Sequence, residues 1–443
     1  MKPKTAAPAC RVAIVSLGCA KNQVDTEVML ACLAQAGCQP TNSPAAADVI
    51  IINTCGFVEA AKRESIEAAL RALKQRKAGA RLILAGCLAQ GWGAELAEEL
   101  PEADAIVGPG WAGEITTIVD EVLAGRRVLA LRSAGEWENA ALPRLLTTRP
   151  GSAYLKIAEG CSHRCSFCVI PRLRGPYRSR PEEVILEEAA QLVDCGVREL
   201  VLVAQDTAAW GLDRYGEFRL PQLIRRLCRL EGVRWVRLLY LYPTRVTPDL
   251  LTAIAENEKV CRYFDLPLQH VSPRVLARMG RPSMNRVWPV LERIRRLMPE
   301  AVLRSTFIVG FPGETEEDFR QLLSFLETVQ PDWVGAFTFS PEDGTPAARL
   351  PETVPEEIKK ERWRRLLARQ REITAARLAA WVGRRVEVLV EKNLGPGRCQ
   401  GRTRGQAPEV DGTVLLRGEA RNGEIVPATI TGVRGYDLLG QTG

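Results

Sequence analysis

Three cysteines with the spacing of metal ligands lie on one short loop of the chain. Cys161, Cys165 and Cys168 form a C-x3-C-x2-C pattern directly after the apolar run 153–157. Three thiolates can hold three corners of a cubane [4Fe–4S] cluster and leave the fourth iron without a protein ligand. Zinc is the alternative, but it favours four ligands, and a second cysteine or histidine pair is missing nearby. His163 is interpreted as a solvent-facing loop residue.

An iron atom with an open position can bind the amino and carboxylate groups of S-adenosylmethionine and pass an electron into the sulfonium. Cleavage then gives a 5′-deoxyadenosyl radical, chemistry that belongs to the cofactor while the protein positions it. The aromatic residue Phe167, just before the last cysteine, agrees with this type of loop. The spacing therefore favours radical S-adenosylmethionine (radical-SAM) chemistry over zinc.

A second group of cysteines follows three short, β-rich apolar runs near the N-terminus: Cys19, Cys55 and Cys87. Helical patterns come after these runs, at 24–35, 60–76 and 93–100. This alternation predicts a doubly wound parallel sheet, in which ligands gather outside the carboxyl ends of the strands. One strand-end cysteine is commonly a small buried hydrophobe. Because all three predicted strands are followed by a cysteine, a second cluster site is predicted. The other seven cysteines are interpreted as packing or surface thiols.

Strands and helices alternate again from residue 154 to residue 339. The predicted strands are 153–157, 198–205, 234–240, 262–266, 302–309 and 332–339. The predicted helices are 181–194, 220–230, 248–257, 286–297 and 316–329. Six such units predict a partial (β/α)6 barrel, whose active site forms at the carboxyl ends of its strands. The cysteine loop follows the first of these strands, as that placement requires.

Two more strand ends carry residues that suit a nucleoside and amino-acid ligand. Gln205 ends the second strand. The fifth ends in Gly310, Gly313 and Glu314, where glycines would let the backbone approach a ligand. The alternative is a plain strand-to-helix turn in which Glu314 supports the N-terminus of the next helix. His270, at the end of the fourth strand, is interpreted as structural rather than catalytic.

The sequence pattern of the C-terminal part of the chain differs from that of the preceding region. A helical pattern at 355–382 predicts a connecting helix with a solvated basic face. Short strands at 385–391, 413–417 and 424–433 follow, and the Asn422-Gly423 pair predicts a hairpin. A small antiparallel β-barrel of a type that often binds RNA is expected. From residue 383 onward there are nine basic and seven acidic residues, which is weak support for RNA binding.

The composition, 46% hydrophobic and 26% charged, is ordinary for a globular protein. No run of 18 apolar residues and no signal-peptide pattern occur, so neither a membrane span nor a membrane partner is predicted. Thirteen cysteines with ligand-like spacing favour a reducing compartment and a cytoplasmic location. The net charge of +7 permits contact with RNA or ribosomes.

Together these motifs resemble those of the radical-SAM methylthiotransferases, enzymes that install a methylthio group on a macromolecule. The motifs run SLGCAKNQVDTE, IINTCGFVEAAKRES, LAGCLAQ, YLKIAEGCSHRCSFCVIPRLRG, LVLVAQDT, DLPLQHVSPRVL, RSTFIVGFPGETEEDF, QAPEVDG and GYDLLG. The resemblance implies an N-terminal domain over 10–130 that holds an auxiliary cluster, a radical-SAM core over 147–378 and a TRAM β-barrel over 381–443. Residues 131–150 are the predicted linker.

Within this family, the motif sequences are most similar to those of the branch that modifies the β-carbon of an aspartate in ribosomal protein S12. The branch that acts on an N6-modified adenosine of tRNA typically has a GCQMN-like first motif and a DLPLQSG-like strand end. This chain has GCAKN and DLPLQH there. A near-neutral TRAM barrel also favours a protein substrate. The tRNA enzyme is the alternative, and a non-catalytic iron–sulfur protein that binds RNA is the third hypothesis.

The resemblance also implies roles for individual residues. The ligands of the SAM-cleaving [4Fe–4S] cluster would be Cys161, Cys165 and Cys168. The ligands of an auxiliary [4Fe–4S] cluster that holds the sulfur would be Cys19, Cys55 and Cys87. The contacts to SAM would come from Phe167, Gln205, Gly310, Gly313 and Glu314.

The implied reaction consumes two molecules of SAM per turnover. One methylates a sulfur on the auxiliary cluster, and the other gives the radical that removes hydrogen from the aspartate β-carbon. The carbon radical then captures the methylthio unit. The implied partners are S12, free or in the 30S subunit, a low-potential electron donor such as flavodoxin or ferredoxin, and a sulfur donor.

Overall fold

The computed structural model describes residues 10–132 and 140–442. The chain forms two compact units that each combine separate stretches of sequence. Unit 1 contains the described residues up to Thr147, together with Glu159–His163 and Cys168–Glu188. Unit 2 contains Thr148–Ala158, Arg164–Phe167 and the described residues from Ala189 onward. The predicted linker lies partly at 133–139, outside the described residues, and the predicted three-domain division stays a prediction.

Unit 1 contains a six-stranded parallel sheet with the order β2-β1-β3-β4-β5-β6. Its strands are β1 (Arg11–Ser16), β2 (Gln39–Pro40), β3 (Val49–Thr54), β4 (Arg81–Gly86), β5 (Ala105–Val107) and β6 (Val128–Ala130). Its helices are α1 (Ala20–Gln35), α2 (Glu59–Gln75), α3 (Cys87–Glu99) and α4 (Ile115–Leu123). All three predicted helices begin earlier than expected: α1 directly after Cys19, α2 by one residue, and α3 at Cys87 itself.

Helices cover both faces of this sheet because alternate strand residues point in opposite directions. Ile51 of β3 packs in one cluster with Met29 of α1 and Ile118 of α4. Its neighbour Ile50 packs in a second cluster with Ala69 of α2. A strand that is buried on both faces is mostly apolar, and the first four residues of β3 are all Val or Ile. The predicted doubly wound sheet is confirmed.

Unit 2 contains six parallel strands that follow one another in chain order. They are β7 (Ser152–Lys156), β10 (Glu199–Val203), β11 (Trp235–Leu238), β12 (Tyr263–Asp265), β13 (Val302–Val309) and β14 (Trp333–Thr338). The two three-stranded sheets meet where Val236 bridges Val260. Among the described residues β14 does not pair with β7, so the arrangement is the predicted partial barrel.

Helices connect these strands close to the predicted positions. The remaining helices and short strands between residues 158 and 379, of which α5 and β9 belong to unit 1, are β8 (Ala158–Glu159), α5 (Ile170–Arg174), β9 (Arg178–Ser179), α6 (Glu182–Asp194), α7 (Leu212–Tyr215), α8 (Leu220–Arg229), α9 (Pro248–Glu256), α10 (Pro273–Met279), α11 (Met284–Leu297), α12 (Glu316–Val329) and α13 (Glu356–Ala379). The basic face predicted for α13 is only partly solvated, because Arg362 is buried against Glu314 at 3.0 Å. Among the described residues, no helix has the length and apolar character needed to cross a membrane.

The C-terminal strands close into a barrel with the order β15-β16-β17-β19-β18. They are β15 (Arg385–Gly395), β16 (Arg398–Arg402), β17 (Val414–Arg417), β18 (Ile425–Arg434) and β19 (Asp437–Thr442). The expected small barrel is confirmed, although β16 and β19 had not been predicted and the β17–β19 pair is parallel.

The hairpin predicted at Asn422-Gly423 is wrong. This turn joins β17 to β18, which do not pair with each other, since β18 lies between β15 and β19. The Gly423 N–H donates to the Val390 carbonyl at 2.7 Å, so the turn starts the pairing of β18 with β15. A tertiary contact therefore overrides the local turn signal.

A buried ionic network joins this barrel to the amino-terminal ends of the parallel strands in unit 2. Glu199, at the start of β10, accepts hydrogen bonds from Arg237 Nε at 2.8 Å and from Arg402 Nη2 at 2.6 Å. Arg402 Nε also donates to Glu391 at 2.6 Å. Burial disfavours the charged form of Glu199, but Arg402 and Arg237 outweigh it and lower its pKa to about 2. The C-terminal barrel thus sits opposite the strand ends at which the active site is expected.

We expect Glu199→Gln to destabilise unit 2 by about 3–5 kcal/mol, because it leaves two buried guanidinium groups without their shared carboxylate. The folded-state pKa lies below the ordinary value of 4.5. The contribution of Glu199 is therefore complete above pH 4.5 and falls as the pH drops toward 2. Urea unfolding at pH 7 and at pH 3.5 measures both effects. Glu217→Gln, at an exposed ion pair, is the control and should cost less than about 1 kcal/mol.

Candidate iron–sulfur and SAM site

The three N-terminal cysteines follow three neighbouring strands of the unit 1 sheet. Cys19 is the N-cap of α1 after β1, Cys55 directly follows β3, and Cys87 is the first residue of α3 after β4. Because β1, β3 and β4 are adjacent and parallel, their carboxyl ends meet at one edge of the sheet. The fold therefore brings the predicted auxiliary triad together.

The backbone around Cys19 and Cys55 leaves little freedom. Gly18 has a φ of +91°, and a Cβ placed there would lie 2.9 Å from Cys55 Sγ, so only glycine fits. Ser65 of α2 accepts a hydrogen bond from the Cys55 N–H at 2.9 Å and donates to the Cys55 carbonyl at 3.1 Å. These contacts hold the loop that carries Cys55.

Asn22 and Arg174 surround Cys87, and the sequence patterns had indicated neither. The Asn22 amide donates to the carbonyl groups of Leu17 and Thr54 at 2.9 Å, which ties the end of β3 to the loop after β1. Arg174 Nε lies 3.1 Å from Cys87 Sγ. Both residues occur within the motifs of the chain, but nothing in their local pattern distinguishes them from surface polar residues.

The three thiols have different tendencies to ionise. Burial opposes ionisation of Cys19, but Lys21, Arg174 and backbone N–H groups at the start of α1 outweigh it and lower its pKa. Burial raises the pKa of Cys55, and it raises that of Cys87 to about 12 although Arg174 opposes the shift. Cys19 is therefore the most acidic thiol of the triad and the readiest to bind a metal as thiolate.

The spacing of the strands that carry the triad is compatible with a cluster. Among the described parts of the chain, no three His, Cys, Asp or Glu side chains lie close enough to hold one metal ion. Neighbouring strands are about 4.8 Å apart, and each thiolate of a cubane binds a different iron atom. Three thiols that follow three adjacent strands, with cations beside them, fit that wider arrangement.

The first cysteine of the C-x3-C-x2-C loop lies in unit 1 beside the same region. The Cys161 N–H donates to the carbonyl of Gly175 at 3.0 Å, and Gly175 directly follows Arg174. Cys168 precedes α5, whose residue Leu173 packs with Cys87. Successive residues at the end of α5 thus contact one cysteine of each triad.

The middle of the loop belongs to unit 2, where α10 holds it. Ser166 N–H donates to the Met279 carbonyl at 3.0 Å, and Ser166 Oγ donates to the Arg278 carbonyl at 2.7 Å. Arg281 Nη1 lies 3.7 Å from Cys165 Sγ, and its guanidinium stacks 4.3 Å from the centroid of the Tyr242 ring. Arg281, which the sequence patterns had not indicated, supplies a positive charge beside this thiol.

The residues predicted to contact SAM lie at the carboxyl ends of the unit 2 strands. Phe167 packs in one apolar cluster with Phe311, next to Gly310. Glu314 accepts hydrogen bonds from the N–H groups of Gly310 at 2.6 Å and Phe311 at 3.2 Å. Glu314 therefore supports the turn itself. Gln205 lies half-buried just beyond β10.

Two alternatives for this region are resolved by local hydrogen bonds. Thr315, with Asp318, forms the capping box of α12, so Glu314 is not the cap. His270 Nδ1 accepts a hydrogen bond from Ser272 N–H at 3.0 Å, and burial lowers the pKa of His270 to about 4. A neutral, bonded and buried imidazole agrees with the structural interpretation of His270.

Three family models match the chain in sequence order. Residues 11–108 match an uncharacterized protein family, UPF0004, residues 155–326 match the radical SAM superfamily, and residues 382–442 match the TRAM domain. The ribosomal protein uS12 methylthiotransferase RimO of Moorella thermoacetica is 51% identical over 97% of this chain and 99% of its own length. The protein of the same name from Heliobacterium modesticaldum is 47% identical over 97% and 95%.

The chain belongs to the ribosomal protein uS12 methylthiotransferase family. The methylthiotransferase predicted from the motifs is thus confirmed, and the cofactors of this radical-SAM family are SAM and iron–sulfur clusters. The radical SAM methyltransferase TsrM from Kitasatospora setae, solved with cobalamin and a [4Fe-4S] cluster, has a TM-score of 0.56. It is 16% identical and the match covers 77% of this chain and 74% of that one, which supports the fold.

Proposed function

We propose that this chain transfers a methylthio group to the β-carbon of an aspartate in ribosomal protein uS12, with two cysteine triads as cluster ligands. Cys161, Cys165 and Cys168 hold the cluster that binds SAM. Cys19, Cys55 and Cys87 hold the auxiliary cluster. When bound, the two clusters supply the electron that cleaves SAM and the site that carries the sulfur.

The observation that carries this proposal is the double contact made at the end of α5. Arg174 contacts the sulfur of Cys87, and Gly175 accepts a hydrogen bond from the backbone of Cys161. A methylthio transfer needs the radical and the sulfur near one substrate carbon, since reacting groups held together react far faster than separate ones. The chain's own residues thus bring one member of each triad to the same short segment.

The residues that surround SAM position it and shield it from water, and they do not react with it themselves. Phe167 and Phe311 exclude water from the turn at Gly310, and Glu314 holds the backbone of that turn in place. Gly310 and Gly313 form the turn beside the ligand with φ of +73° and +80°, which glycine adopts without strain, and Gln205 orients the methionyl part of SAM. Arg281 offsets the negative charge that a thiolate at Cys165 carries.

The substrate assignment is supported by the relatives, which are named for uS12, and by the DLPLQH strand end. The nearly balanced charge of the C-terminal barrel also suits a protein target better than tRNA. A low-potential donor such as flavodoxin or ferredoxin supplies the electrons, and a separate sulfur donor reloads the auxiliary cluster. The reaction takes place in the cytoplasm, with uS12 free or in the 30S subunit.

Mass spectrometry distinguishes the two substrates. Purified uS12 and bulk tRNA are each incubated with anaerobically reconstituted enzyme, SAM, sulfide and reductant. We expect a methylthio mass increment on one aspartate peptide of uS12, lost with Cys55→Ala, and an unchanged tRNA. An increment on tRNA adenosine instead would assign the chain to the tRNA branch. No change in either substrate and no 5′-deoxyadenosine, with both clusters present by iron analysis, would contradict the enzyme itself.

A further inference from the structure

One guanidinium group lies at the centre of the buried residues around Cys87 in unit 1. The side chain of Arg174 is 2% exposed. Its Nε donates to Cys87 Sγ at 3.1 Å, and its Nη1 donates to Asp25 at 2.9 Å and to Glu159 at 2.8 Å. Its Nη2 donates to the Asn22 side-chain oxygen. All three nitrogen atoms are engaged, so the planar group is held with its Nε–H toward the sulfur.

The balance of charge around this group shows why it faces a sulfur. Asp25 and Glu159 have side chains that are 3% and 2% exposed, and both form ion pairs with the guanidinium of Arg174. A thiolate at Cys87 adds a further negative charge to the same buried space. Buried charges are tolerated only when they are paired and hydrogen-bonded. The guanidinium of Arg174, which donates to Cys87 Sγ, therefore stabilises a metal-binding thiolate at Cys87 in this buried surrounding.

We propose that Arg174 is a positioning residue of the auxiliary cluster, which raises the reduction potential of that cluster through its charge and its hydrogen bond to the Cys87 sulfur. This inference rests on the proposed ligand role of Cys19, Cys55 and Cys87. Hydrogen bonds to ligand sulfurs and nearby charge set the potential of iron–sulfur clusters. Reduction adds negative charge, which a donor and a cation at the sulfur stabilise.

The test isolates the auxiliary cluster. In the full-length chain, Cys161, Cys165 and Cys168 are all changed to alanine, and the remaining cluster is titrated with reductant while its electron paramagnetic resonance signal is followed. We expect Arg174→Gln to shift the midpoint potential to a more negative value, by at least a tenfold change in the reduction equilibrium, about 59 mV for a one-electron couple. Arg174→Lys, which retains the charge without the guanidinium geometry, should give a smaller shift in the same direction.

The matched control is Arg172→Gln, on the same helix. Arg172 donates to the Gly91 carbonyl, and its guanidinium lies 4.9 Å from the centroid of the Trp92 ring. Its removal should leave the midpoint potential unchanged. Because Arg174→Gln removes a guanidinium that pairs with the buried Asp25 and Glu159, Arg174→Lys decides the question if the glutamine variant fails to fold.

Two failures are distinguishable. If the parent chain binds no more iron than its Cys87→Ala version, the auxiliary ligand assignment is wrong, and the inference goes with it. If the parent holds a full cluster whose potential is the same with arginine, lysine or glutamine at 174, the inference alone is overturned. The inference is supported if both Arg174 variants shift the midpoint potential to more negative values, retain their iron, and Arg172→Gln leaves the potential unchanged. A purely structural ion pair would change stability and leave the potential unchanged.

Discussion

Replacing Cys161, Cys165 and Cys168 by alanine abolishes the formation of 5′-deoxyadenosine, and methylthio transfer to uS12 disappears with it. This result is expected because SAM is cleaved only when it binds the iron atom that has no protein ligand, and we propose that the loop holds the other three iron atoms of that cluster. The auxiliary triad is untouched, so the variant should retain about half of the wild-type iron if the two clusters are of equal size. Chromatography of the nucleoside and iron analysis measure both quantities.

The control for this loop is Cys195→Ala, since Cys195 is exposed and belongs to neither triad. It should retain full iron content and full SAM cleavage. Production of 5′-deoxyadenosine at the wild-type rate by the triple variant would show that these three cysteines do not bind the SAM-cleaving cluster.

Replacing Cys87 by alanine separates the two halves of the reaction. We expect SAM cleavage to continue, because the C-x3-C-x2-C loop is intact. Methylthio transfer should fall by at least about a hundredfold, since even the loss of an outer-shell partner of a metal site costs 10–100-fold and here a proposed ligand is removed. Measuring 5′-deoxyadenosine and modified uS12 in one incubation tests this uncoupling.

Cys261→Ala is the matched control for the loss of a buried thiol, because Cys261 is buried in unit 2 and belongs to neither triad. It should retain both products. Equal loss of SAM cleavage and transfer in Cys87→Ala, with the protein still folded, would argue against separate roles for the two triads.

Hydrophobic periodicity was sufficient to predict most elements of this protein. The strand at 302–309 and the helix at 316–329 were predicted with the bounds that the structure has. Both signals are local, because a strand turns alternate side chains toward the core and an amphipathic helix repeats every 3.6 residues. The placement of Cys19, Cys55 and Cys87 at strand ends followed from the same patterns.

Contacts between distant stretches decided the rest. The pairing of β18 with β15 overrode the hairpin signal at Asn422-Gly423. Arg362 lies in a basic helix whose pattern predicts a solvated side chain. It is instead buried and donates to the carboxylate of Glu314, 48 residues away in the chain. Such positions have no signature in their own neighbourhood, because their partners come from another part of the chain.

The sequence by itself therefore determined the family, the fold class and the six cysteines with the spacing and position of ligands. Only the tertiary structure identified the cation beside Cys87. An arginine at the end of a short helix has the same local pattern whether it faces water or sulfur. Its role depends on Asp25 of α1, Glu159 of β8 and Cys87 of α3, which the fold brings to one buried point.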